Sequence, residues 1–142
     1  MTHLEAVYHN DRPVSVLRDR EDVARFVQEL LAADWEHSAA TVHAVDPDHR
    51  KEFPDHELTI GVDPDTGMGG LRYTNDEGTW YSRGDRTNRG GVVYVYFDTG
   101  HDFPADSEVR LHLIHDALDE LLGTGGQRPH CVAWQEATDQ LD

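Results

Sequence analysis

Apolar residues in this chain repeat with two different periods, and the division between them sets the class of fold. Val23, Phe26, Val27, Leu30 and Leu31 fall at i, i+3, i+4, i+7 and i+8, the spacing of a one-sided amphipathic helix. Asp19 stands before this stretch as an N-cap, and Glu21 and Asp22 occupy the first turn, where the helix dipole favours acids. A second helix is expected over about residues 108–122. Leu111, Ile114, Leu118, Leu121 and Leu122 form its stripe, Leu113 lies off it, and Gly123 with Gly125–Gly126 ends it.

Elsewhere the apolar residues follow strand periods. LEAVYH and VSVL read as short strands around a turn at Asn10–Pro13, and SAATVHAV (38–45) as another. Leu58, Ile60 and Val62 alternate with Glu57, Thr59 and Gly61. The Gly-rich DPDTGMGG turn leads to a return strand starting at Leu71 and Tyr73, and NDEG (75–78) turns the chain into TWYS. Together 57–82 predict an antiparallel meander. Residues 46–56 and 83–91 read as polar loops. VVYVYF (92–97) is nearly all apolar or aromatic and predicts a central strand, and CVAWQ (131–135) a last one. The order implies a single α+β domain over residues 1–142. Its sheet is mostly antiparallel, with about six to eight strands, two helices packed on one face and the other face partly open.

Charge narrows the function. Twenty-eight Asp and Glu against twelve Lys and Arg leave a formal charge of −16 on 142 residues, and protonating all ten His would only bring it to −6. A folded domain of this charge repels nucleic acid and anionic membranes and attracts basic partners. One cysteine, Cys131, excludes an internal disulfide and a multi-cysteine zinc site. The first residues, MTHLEAVYHND, show neither a basic n-region nor an apolar h-region, so a cytoplasmic protein is the expectation.

The residues that could carry chemistry each have a plainer reading. His112 and His115 share a helix face, but the zincin spacing HExxH is absent and a helix flank is the better account. Asp63-Pro64-Asp65-Thr66-Gly67 starts like a calcium loop, yet position 12 of such a loop would be Thr74, so a turn is the better reading. Gly67, Gly69 and Gly70 form no phosphate-binding fingerprint. Ser82 and Ser107 lack a nucleophile context, and Cys131 reads as an inert thiol. No cofactor, no metal and no catalytic residue is expected.

Recognition fits the pattern better. Of the two parities on 92–97, the tyrosines are the better surface candidates, since their hydroxyls tolerate water. The candidate binding residues are therefore Asp63, Asp65, Asp76, Glu77, Trp80, Tyr94, Tyr96, Asp98 and Asp102. They lie on an outward sheet face and on the loops 63–70, 75–80 and 98–106. Trp35 is a lesser candidate, and Trp134 reads as core.

Several runs carry a resemblance. PDHELTIGVDPDTGMGGLRYTNDEGTWYSRGD is similar to the middle of the bacterial immunity proteins of the Imm family numbered one. YFDTGHDFPADSEVRLHLIHDALDELLGTGGQRPHCVAWQE resembles their C-terminal half, with FPADSEV and RPHCVAWQ the most specific pieces. The resemblance covers about residues 4–136. It implies a protein encoded beside a polymorphic toxin, commonly of the nucleic-acid deaminase class, that binds the toxin domain and blocks its active site or basic substrate groove. It implies no catalytic residue and fixes no contact residue. The partner expected is thus a basic toxin domain, with no direct binding of nucleic acid or membrane, and the chain is expected to be a monomer or weak homodimer. A small metal-dependent hydrolase using the helix histidines, or a generic acidic interaction module, are the alternatives.

Overall fold

The computed structural model describes residues 2–7, 13–33, 37–49, 54–96 and 99–137. Its main sheet is antiparallel throughout. The strands are β1 (His3–Val7), β2 (Ser15–Leu17), β3 (Ala39–Val45), β4 (His56–Asp63), β5 (Met68–Asn75), β6 (Gly78–Arg83) and β10 (Ala133–Glu136), in the spatial order β10-β6-β5-β4-β3-β1-β2. A two-residue strand, β9 (Val109–Arg110), pairs with the start of β5. This bears out the α+β fold with a mostly antiparallel sheet.

The two helices, α1 (Arg20–Ala32) and α2 (Leu111–Thr124), cover one face. Val23, Phe26, Val27 and Leu30 of α1 are buried, as their spacing predicts. Ile114, Ala117, Leu118 and Leu121 of α2 join them over Leu4, Ala40, Val42, Leu58, Ile60, Val62, Leu71 and Tyr73 of the sheet. Asp19 caps α1, its Oδ1 accepting from the Asp22 amide at 2.9 Å. The Asp22 carboxylate in turn accepts the Arg18 amide at 2.9 Å. That backbone hydrogen bond, with Arg25 beside it, holds the Asp22 carboxyl below its ordinary range against the opposing pull of desolvation. α2 begins directly out of β9, later than expected, and stops where Gly125 takes a left-handed conformation at φ 71, which glycine adopts without strain.

The segment 92–97 corrects the reading. It is not a central strand: β7 (Val92–Tyr96) pairs only with β8 (Thr99–Phe103), a strand that sequence alone leaves as loop. Apolar content marks burial and cannot say what does the burying. The β7–β8 ribbon lies across the second face of the main sheet. Tyr94, expected to point outward, is 3% exposed and faces the sheet, while Val93 of the opposite parity is 41% exposed. The expected open face is therefore partly covered.

What receives the ribbon is a row of small residues. Ala39 pairs with Gly61, and Gly61 pairs with Gly70, so three neighbouring strands present almost no side chain along one line. Tyr94 and Phe103 pack over this row, with ring centroids 4.8 Å apart and planes at 85°. A β-carbon on Gly61 would overlap the Tyr94 ring, and one on Gly70 would come within 3.0 Å of it. Glycine inside a strand marks such a close approach.

Gly61→Ala is expected to dislodge the ribbon and to cost about 1–3 kcal/mol, the range for overpacking a filled site. Urea unfolding of the two proteins measures it. Equal midpoints would mean that the ribbon is not held by this seat.

Candidate functional site

The expected binding residues do not gather in one place. β4 runs between two different concave regions, one at His56 and one at Asp63. The turn that carries Asp76 and Glu77 opens on the first, and the turn that carries Asp63 and Asp65 opens on the second.

The first region is a broad groove of about 1130 Å³. Its floor is aromatic. His56 stacks on Tyr73 at 6.5 Å, and Tyr73 meets Trp80 at 6.2 Å and Trp134 at 6.4 Å. The Tyr73 hydroxyl donates to the Gly126 carbonyl at 2.7 Å, tying the chain after α2 to the sheet. Asp55, Glu57, Asp76 and Glu77 line the groove, with Arg128 as its basic member beside His43 and His130. The tight turn at Asp76–Glu77 forms because Asn75 Oδ1 accepts the Glu77 amide at 2.9 Å, leaving both acidic side chains exposed.

Trp80 is half-buried, and the Arg128 guanidinium stands over its ring at 4.3 Å from the centroid. This cation–π contact occupies an indole face that sequence alone leaves free for a partner. Glu57 is held below its ordinary carboxyl range chiefly by the His43 imidazole, whose Nε2 stands 3.7 Å from its carboxylate, against burial, which pushes the other way. His56 has a structural task. Its Nε2 accepts the Ala44 amide at 2.9 Å, so the proton sits on Nδ1, which donates to Asp55 at 2.7 Å.

The second region is a cavity of about 290 Å³ between the end of α1, the β4–β5 turn and β7. Asp63, Asp65 and Tyr94 line it, together with Glu108, Asn88 and Ser38, which the sequence did not single out. Asp63 Oδ1 accepts the Asp65 amide at 2.9 Å, the turn expected in place of a calcium loop. Burial, with the charges of Glu108 and Asp63 added, pushes the Tyr94 phenol well above its ordinary value.

The remaining candidates lie apart. Tyr96 is half-buried, and its hydroxyl shares a 2.9 Å hydrogen bond with Thr41. Asp102 is exposed on β8, opposite Val93. Asp98 and Trp35 lie outside the described residues. Trp134 packs half-buried against the core, and its indole N–H donates to the Pro129 carbonyl at 2.7 Å. Asp55, Glu57 and Arg128 were missed because the groove joins three segments distant in sequence. A glycine at 61 inside an alternating strand was the one available signal for the ribbon seat.

Ser82 and Cys131 are not poised as nucleophiles, and the Ser107 hydroxyl is buried without a hydrogen-bond partner. Ser82 is buried, donates to the Ser107 carbonyl at 2.7 Å and accepts the Leu71 amide at 3.0 Å. Burial first, and then the Glu120 carboxylate, push the Cys131 thiol up to about 12, where little thiolate exists to react. His112 is exposed and His115 half-buried on α2, and among the described residues no three His, Cys, Asp or Glu side chains are placed to hold a metal ion. Among those residues, no helix is long and apolar enough to cross a membrane.

A family model described as Immunity protein Imm1 matches residues 11–136. No curated protein matches the chain.

Two outcomes test the site's electrostatics. In the folded protein Cys131 should be alkylated by iodoacetamide at pH 8 at least about a hundredfold more slowly than in the urea-unfolded chain, and comparable rates would mean an accessible thiolate. Glu57 has a depressed folded pKa, so its stabilising contribution is complete above the ordinary carboxyl value of 4.5 and is lost as pH falls through the folded value. Glu57→Gln should therefore shallow the acid limb of a stability–pH curve and leave its slope near neutrality unchanged.

Proposed function

Because the chain belongs to the Imm1 family of immunity proteins, whose role is to neutralise a cognate toxin, we propose that it acts in the cytoplasm by stoichiometric binding, without catalysis, to a basic toxin domain that works on nucleic acid. A nucleic-acid deaminase is the toxin class proposed. The residues 1–142 are proposed to act as one domain.

One observation carries the site assignment: Asp55, Glu57, Asp76 and Glu77 line a single groove beside the Trp80–Arg128 pair. A toxin that grips a polyanion presents a positive surface. A chain of charge −16 steers toward such a surface, and these carboxylates take positions that phosphates would otherwise occupy. Tyr73 and Trp80 in the groove lining, with Trp134 packed against Tyr73, supply an apolar base beside them. Interfaces of this kind draw their slow dissociation from buried aromatic and Arg contacts and their fast association from charge.

Co-expression with the C-terminal toxin domain encoded beside this chain tests the role: a stable complex and restored growth are expected, and neither appearing would end the proposal. The groove is tested separately by the Asp76→Asn/Glu77→Gln double variant. It should slow association about three- to tenfold at low salt, with the difference shrinking as salt screens it. Stopped-flow rates across a salt series measure this. Association indifferent to both salt and the double variant would remove the groove from the interface.

A further inference from the structure

The cavity at the Asp63 end of β4 is a separate place from the groove, and its chemistry is one-sided. Three carboxylates line it, from Asp63, Asp65 and Glu108, and its lining contains no Arg, Lys or His. Among the described residues none of the three forms an ion pair with a basic side chain. A cavity lined by carboxylates and by no base favours entry of a cation over an anion.

A second observation, independent of the acids, points the same way. Tyr94 lines the cavity, is 3% exposed, and its hydroxyl is buried without a hydrogen-bond partner. Leaving a buried hydroxyl unsatisfied costs free energy, and in the free protein only a trapped water could serve it. The ring lies close against the sheet, in the space that the missing β-carbons of Gly61 and Gly70 leave. The hydroxyl is therefore an unpartnered polar group on a cavity-lining residue, within reach of the Glu108 and Asp63 charges.

The surrounding walls are fastened. The Ser38 hydroxyl accepts the Val95 amide at 2.9 Å, and the Ser38 carbonyl accepts the Val62 amide at 2.9 Å. The Asn88 amide nitrogen donates to the Ala105 carbonyl at 2.7 Å, and the Asn88 side chain donates to Glu108 at 3.3 Å. These contacts tie Ser38 to β4 and β7, and the 84–91 loop to the segment 105–108. At about 290 Å³ it sits at the low end of ligand pockets, which span roughly 300–1,000 Å³. That volume suits one side-chain head or one small amine.

We propose that this cavity binds a single organic cation, a guanidinium or primary ammonium, with the carboxylates of Asp63 and Glu108 accepting its N–H groups and the Tyr94 hydroxyl completing the set. The three carboxylates are not placed to hold a metal ion. A planar guanidinium with five donors spread in a fork matches separated acceptors. The cation has two possible sources, an Arg or Lys side chain of a partner protein or a free small amine. The inference stands on the cavity alone and does not depend on the groove or on the toxin's identity.

The test titrates N-ethylguanidinium, with uncharged N-ethylurea as the shape control, into the full-length protein while following backbone amide shifts. Saturable shifts at Asp65, Asn88 and Gly91 with the cation and not with the urea are expected. Tyr94→Phe keeps the ring on its glycine seat and removes only the hydroxyl. It should leave the thermal midpoint unchanged or raised while weakening the cation about three- to tenfold, the worth of one hydrogen bond. Glu108→Gln should weaken it by at least about tenfold, as expected for a charge-assisted contact. No cation-specific shifts, or shifts unmoved by both variants, would overturn the proposal. Competition between N-ethylguanidinium and the toxin domain would assign the cation to a toxin side chain. Cation binding without competition would assign it to a free amine. A toxin that fails to bind at all would remove the proposed function and leave the cavity result standing.

Discussion

The architecture depends on how closely a tyrosine ring can approach a sheet. Two helices suffice to cover one face of the main sheet, and they do so with ordinary aliphatic packing. The second face has no helix, and its middle strands would be wet if nothing crossed them. Ala39, Gly61 and Gly70 leave a line across three strands where side chains are nearly missing, and Tyr94 with Phe103 settles there. That contact brings the β7–β8 ribbon down onto the sheet. It also brings the polar 84–91 loop beside the β4–β5 turn, where Gly84 and Asn88 hydrogen-bond to Asp106 and Ala105 at 2.7 Å each. The acidic cavity is a consequence of the seat, since Tyr94 contributes to both.

Two concave regions then mark the two ends of β4. The strand spans His56 to Asp63, which at roughly 3.3 Å per residue separates the groove from the cavity by about 23 Å. This separation decides how the charge can be used. A partner docked on the groove meets an open, rimmed surface suited to a protein. The cavity is about a quarter of the groove's volume. Both are negative because acids outnumber bases along the whole chain, yet each adds a different polar feature: a cation–π pair in the groove and a buried phenol in the cavity.

Much of the polar inventory that resembles catalytic equipment is spent on holding the frame. His56 substitutes for a carbonyl at the point where the β3–β4 ladder gives out, accepting the Ala44 amide. Ser82 bridges β5 to the Ser107 carbonyl. The Glu120 carboxylate accepts the His130 and Cys131 amides at 2.6 and 3.1 Å, anchoring the chain on its way to β10. Buried donors and acceptors that are paired in this way stabilise a unique arrangement, which is what a protein working through surface recognition requires.

Local physics was legible in the sequence wherever a residue's role depends on its near neighbours. The Asp19 cap, the buried stripe of α1, the turns at 64–67 and 76–77 and the β4–β6 meander all follow from spacing and turn chemistry. So did the acidic excess that favours a basic partner. The tertiary structure alone decided which way Tyr94 faces, that 92–96 pairs with 99–103 in a separate ribbon, and that Arg128 covers Trp80. It alone divided the expected binding residues between two ends of the sheet. The reason is that period and propensity report only that a residue is buried or exposed. Which surface buries it is set by contacts between segments far apart in the chain, here by a missing β-carbon at Gly61 meeting a ring thirty-three positions later.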